Sequence, residues 1–311
     1  MDLSFTPETL TGVASAFPAA WLRVTGPDSA DFLQGQCTQE LRRLLPGQTT
    51  PALWLNPKGR ILGESLILKE SAEAWWLWSP HTPGEILRSR LEDFIIADDV
   101  TVESPTPSVW EQITLAGPAA AAWLQSALAG TPPPPPGHWL PLGDGLLFAG
   151  RRAQPAIWDW LRPAGSSLPQ PPPNLGDLSA AALLRTRLAA GVPAIPAEFG
   201  PADLPQEAGL ETVAISFTKG CYLGQEVMAR LHAMGQVRRR LVRVSGSGPA
   251  PAVGTEIHQA AKRIGEVRAA ADLDPTRWIG LALLNLLGLD PSAPLTTADG
   301  SAVTVNSQPS P

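Results

Sequence analysis

Cysteine is nearly absent from this 311-residue chain, which has only Cys37 and Cys221. Two thiols cannot hold an iron–sulfur cluster within one chain, where four ligands are usual. They also make no disulfide framework of the kind small secreted domains rely on. Histidine is equally sparse, four residues with no H-x-x-x-H spacing, so no metal site is legible. Long apolar runs are lacking, since no window of membrane-spanning length is free of charge or proline. The opening Met1-Asp2-Leu3-Ser4-Phe5-Thr6 has no basic stretch before an apolar core, so the expected location is cytoplasmic, with no membrane partner. A net charge of −6 and a pI near 5.3 argue against a surface built for phosphate backbones. Strong direct nucleic-acid binding is therefore not expected, and Arg238-Arg239-Arg240 is the one basic run. No glycine-rich phosphate loop occurs.

What the chain does have is apolar content for a real core, in a length that can hold two or three modest domains. Strands are expected over 21–24, 52–55, 61–68, 75–78, 100–103, 109–115 and 146–149, with a turn at Asn56-Pro57-Lys58-Gly59. Helices are expected after Gly26-Pro27-Asp28, after the capping box Thr82-Pro83-Gly84-Glu85, after Gly117-Pro118, around Trp158, and over Leu183, Leu184 and Leu188 up to Gly191. Pro132 to Pro136 reads as a stiff connector, and 163–173 as a second proline-rich loop. Beyond residue 238, short strand-like runs at 240–244, 256–257, 264–267, 279–282 and 302–305 suggest a small C-terminal β-barrel, with 307–311 as a frayed tail. The expectation is an α+β body over 1–237 and a barrel over 238–311.

The densest stretch runs from Ile215 to Arg230: ISFTKGCYLGQEVMAR. Its alternating start reads as a strand turning at Gly220. Val227, Leu231 and Met234 fall at helical spacing, so a helix starts near Gly224 and stops at Gly235. Cys221 lies before that helix and two residues from the Lys219 ammonium, both of which favour a thiolate. Glu226 and Arg230, four apart, can pair on one helix face. A lone Cys at a turn is commonly a small buried hydrophobe, and a Glu–Arg pair at this spacing a solvated face. Yet a plain helix start does not require Lys219, Gly220, Cys221, Tyr222, Gly224, Gln225, Glu226 and Arg230 together.

Lys219-Gly220-Cys221-Tyr222-Leu223-Gly224-Gln225-Glu226, followed by Arg230, resembles the signature of the YgfZ family, folate-binding proteins tied to iron–sulfur enzyme maintenance and tRNA modification. That family is related in fold to the glycine-cleavage T-protein, an aminomethyltransferase. The segment from Gly26 to Gln36 resembles the family's N-terminal signature, and the continuation from Leu231 to Leu241 looks most like its mitochondrial branch. The resemblance implies two interleaved ferredoxin-like α+β modules and a C-terminal β-barrel around a central folate channel. It further implies tetrahydrofolate or a derivative as cofactor, and iron–sulfur enzymes or their assembly machinery as partners.

Pro205-Gln206-Glu207-Ala208-Gly209-Leu210 resembles the T-protein segment whose glutamate holds the pteridine ring. A carboxylate suits the ring's planar pair of N–H donors. Among the three arginines, alternation along a strand lets Arg239 alone, or Arg238 with Arg240, face one ligand. Arg239 is the favoured contact for folate's glutamate tail. T-proteins carry adjacent aspartates, one of them catalytic, where this chain has Gly63 and Glu64. Methylene transfer needs a carboxylate beside the folate nitrogen. An accessory factor working through the Cys221 motif is therefore favoured over a folate-dependent aminomethyltransferase, which Glu64 leaves formally open. A scaffold without folate affinity is the third reading.

Overall fold

Trp75-Trp76-Leu77-Trp78 is apolar without a break, the pattern of a strand covered on both faces, and all four side chains are buried. Trp75 and Leu77 point to one core, and Trp76 and Trp78 to another. That strand lies inside one of two stacked sheets. The computed structural model describes residues 10–306 apart from Pro107, 151–156, 167–169, Gln236 and Ala261, so the tail expected over 307–311 lies outside the described residues.

The chain begins β1 (Gly12–Ala16), β2 (Ala20–Thr25), α1 (Ser29–Gln36), β3 (Thr49–Leu55), β4 (Ile61–Lys69), β5 (Ala74–Ser79), α2 (Gly84–Glu92) and β6 (Thr101–Glu103). It continues β7 (Trp110–Ala116), α3 (Pro118–Ala127), β8 (Trp139–Leu142), β9 (Gly145–Ala149) and β10 (Ile157–Pro163). Then come α4 (Ala180–Ala189), a 3₁₀ turn at Pro205–Ala208, α5 (Glu211–Ala214) and α6 (Gln225–Met234). The last part is all strand: β11 (Arg239–Ser247), β12 (Glu256–Gln259), β13 (Lys262–Asp274), β14 (Arg277–Asn285), β15 (Leu295–Thr297) and β16 (Ala302–Val305).

One sheet has the order β3-β4-β5-β2-β6 and the other β1-β7-β10-β9-β8. Because β1 pairs with β7 while the next strand, β2, pairs with β5, the two modules are interleaved. They meet through Trp21, Leu66, Leu68, Trp76 and Trp78 on one side and Leu146, Phe148 and Leu161 on the other. Helices α1 and α2 cover the outer face of the first sheet, and α3 that of the second. The strands after α6 close into a barrel, β11-β14-β13-β12-β15-β16, with β16 returning to β11. Where body meets barrel, an apolar cluster draws Leu53 and Leu55 from β3, Phe199 and Tyr222 from loops, Met228 from α6, and Leu241 and Leu281 from the barrel.

Three local expectations are corrected. Trp158 lies in strand β10, not a helix, since that strand is buried almost throughout. The Thr82 capping box does not form: Thr82 Oγ1 instead donates to Ile195 O at 2.9 Å and accepts from Glu64 N at 3.0 Å, tying α2 to another part of the chain. The run from Ile215 is not a strand. It leaves α5 extended and bends at 217–219, because its backbone is bonded to the α1 exit: Ser216 N donates to Thr38 O at 2.9 Å.

Candidate functional site

Helix α6 begins and ends on glycines in the left-handed region, Gly224 (φ 87°) and Gly235 (φ 67°), as the spacing predicts. At Gly224 a side chain is also excluded by contact, since a Cβ would lie 2.8 Å from Asn56 O in the β3–β4 turn. That turn is fixed by Asn56 Oδ1, which accepts from Lys58 N at 2.9 Å and Arg60 N at 3.0 Å. Met228 of the helix is buried, and Val227 and Leu231 are partly buried against the same cluster.

Cys221 is exposed and Cys37 is buried. Lys219, two residues from Cys221, does not serve the Cys221 thiol as its sequence position suggests. It is only 6% exposed, and its ammonium donates to Gln34 O (2.7 Å), Cys37 O (2.8 Å) and Gln39 O (2.7 Å). Three donors thus meet three carbonyls at the exit of α1, including a helix-end carbonyl with no partner of its own. Burial lowers the Lys219 pKa, opposed by the Cys37 thiol, and burial pushes the Cys37 thiol up, opposed by the Lys219 charge. Tyr222 is buried beneath this ammonium, its ring centroid 5.1 Å from Nζ, and burial raises its pKa to about 12.

The rest of the Cys221 loop is zipped to the same exit. Thr38 Oγ1 donates to Ala214 O at 2.6 Å and accepts from Leu53 N at 2.9 Å, while Leu223 N donates to Gly35 O at 3.3 Å. Gln34, Thr38 and Gln39 are therefore parts of the site that motif reading missed. The signal available was the helix exit itself, whose carbonyls need donors. Gln225 opens α6, its N–H bonded to Tyr222 O at 3.2 Å. Glu226 and Arg230 are exposed, and among the described residues they form no ion pair with each other. Phe217 and His232 stack at 3.8 Å between ring centroids.

Glu207 and Arg239 are brought together, with each other. Arg239 Nε and Nη2 each lie 2.8 Å from a Glu207 carboxylate oxygen. Glu207 also accepts from Leu204 N at 2.8 Å, and Arg239 Nη2 reaches Asp203 Oδ1 at 3.1 Å. Burial works against the Arg239 charge, but Glu207 and Asp203 outweigh it and its pKa is raised. Arg268 from β13 joins at Asp203 (3.4 Å) and Glu266 (3.0 Å), so an ionic patch borders the apolar cluster where body meets barrel. Gln206 Nε2 contacts Met228 Sδ at 3.4 Å, linking this seam to α6.

Gly63 has little room for a side chain. A Cβ on Gly63 would lie 2.6 Å from Thr82 Cγ2 and 3.1 Å from Leu87 Cδ2. Glu64 lines a depression of about 30 Å³ with Ser65, Trp78 and His81. Among the described residues, no group of three His, Cys, Asp or Glu side chains could hold a metal ion, and no helix is long and apolar enough to cross a membrane.

Residues 12–131 match the GCVT N-terminal domain family and residues 238–310 the CAF17 C-terminal beta-barrel domain. The chain is 31% identical to the mitochondrial iron-sulfur cluster assembly factor IBA57 of Homo sapiens, covering 85% of this chain and 74% of that protein. It is 26% identical to the tRNA-modifying protein YgfZ of Cronobacter sakazakii, covering 84% and 81%. The glycine cleavage system aminomethyltransferase T from Bartonella henselae superposes with a TM-score of 0.79 at 18% identity, covering 97% and 87%, a likeness of fold.

Proposed function

This chain belongs to the family of IBA57 and YgfZ, T-protein relatives, and from that footing we propose that it is a folate-binding accessory factor. It supports iron–sulfur enzymes or their assembly machinery, tRNA-modifying enzymes among them, through the Lys219–Arg230 motif. A cytoplasmic setting belongs to the same proposal. The observation that carries the reading is the contrast between the thiols: Cys221 is exposed on a loop bonded at both ends, while Cys37 is sealed in the core. A thiol held in place at the surface suits work on a partner protein.

Glu207 would hold a pteridine by its paired N–H donors. The donor set fits, because this buried planar carboxylate already accepts a forked pair from Arg239. Bound folate would supply one-carbon chemistry, and what the chain's own residues do is bind and orient it. Against aminomethyl transfer stands Gly63, where Thr82 and Leu87 fill the space a second carboxylate would need.

The test is deletion of the gene in its host, with an iron–sulfur methylthiolating enzyme and glycine cleavage assayed side by side. The proposal expects the first to fall and the second to hold. Loss of glycine cleavage alone would replace the accessory role with the transferase.

A further inference from the structure

The Glu207 carboxylate lies inside and the Arg239 guanidinium outside, their side chains 5% and 29% exposed. Arg239 therefore covers the acceptor that a ligand would have to reach. Its two bonds to the carboxylate form a planar fork, the donor layout of an aminopyrimidinone edge. One carboxylate, also holding Leu204 N, cannot accept both forks at once. Beside Arg239 opens a depression of about 220 Å³, lined by Arg263, Glu266, Arg268 and Asn285 among others. A displaced guanidinium has space there, and would share the Glu266 carboxylate with Arg263 and Arg268, which already hold it at 2.9 and 3.0 Å.

We infer that Arg239 is a built-in competitor for the Glu207 carboxylate: a ligand with a coplanar pair of N–H donors binds by moving this guanidinium into the adjoining depression. The inference rests on the reading of Glu207 as a pteridine contact, and it reverses the expected part of Arg239. As a contact for the glutamate tail, Arg239 would strengthen binding. As a competitor it weakens binding, and it excludes ligands with one donor, which cannot replace two charge-assisted bonds.

The test is calorimetric titration of the full chain with 5-formyltetrahydrofolate and with tail-less tetrahydropterin, each variant first checked for a folded melting transition. Arg239→Ala should bind both ligands about ten-fold or more tightly than the wild type, and Glu207→Gln should lose both. Arg239→Lys keeps the charge without the fork and should shift affinity in the same direction by less, which decides the matter if the alanine variant does not fold. Unchanged or weaker binding of both ligands overturns the inference. So does weaker binding of the tail-bearing ligand alone, which would make Arg239 a tail contact. No binding of either ligand to wild type or any variant removes the folate reading itself, and the competitor with it.

Discussion

At the Cys221 loop the cation is inside and the thiol faces water, whereas at the Glu207 seam the carboxylate is inside and its cation faces water. Both places carry a charged residue beside the one of interest, but the charges do different work. Lys219 is a compact three-donor ammonium spent wholly on backbone carbonyls, so it builds the loop that presents Cys221. Arg239 is a planar fork matched to a side chain that a ligand could also use. Nearness in sequence, as with Lys219 and Cys221, thus says little about which group a charge serves.

The contrast breaks first on stability. Lys219→Met removes the ammonium from the three carbonyls it bridges and should cost about 3–5 kcal/mol in urea unfolding. Arg239→Ala, whose guanidinium is part-open to water and whose partner Asp203 keeps Arg268, should cost less, about 1.5–3 kcal/mol. If the order is reversed, Lys219 is not the anchor of the loop.

Thiol labelling sharpens the same contrast. Alkylation of the native protein at neutral pH should modify Cys221 on the order of a hundred-fold faster than Cys37, whose reaction awaits opening of the core. In Lys219→Met the Cys37 rate should rise toward that of Cys221, because the α1 exit has lost its clamp. Equal rates in the wild type would show that the loop is not closed over Cys37.

The smallest effect concerns Tyr222, the chain's one tyrosine. Tyrosinate absorbance should titrate near 12 in the folded protein, against the ordinary value of 10.0. Since the folded pKa is the higher, the neutral phenol favours the fold. This contribution is complete below pH 10 and is lost as pH rises through about 12. A midpoint at the ordinary value would place the ring in water and the motif loop off the body.

Part of this arrangement is legible in the sequence, for reasons that can be named. Helix α6 shows because both caps are glycines and Val227 and Leu231 repeat on one side. The barrel strands β11, β13 and β14 show because they alternate or run apolar between turns. Ile215 to Phe217 alternates as a strand would, yet Thr38, from the far end of the chain, takes its backbone bond. The carbonyls that hold Lys219 are 180 or more positions away, and no local pattern carries such a pairing. Glu207 and Arg239 are each visible as candidates, but their mutual pairing comes from β11 docking beside the Pro205–Ala208 turn.

If the loop serves to present Cys221 to a partner, complementation by Cys221→Ser in a host lacking the gene tests it. The exchange nearly preserves size at an exposed position, so the variant should melt with the wild type. It should nonetheless fail to restore iron–sulfur enzyme activity. Full restoration by a folded serine variant would leave the motif as a folding element with no work for the thiol.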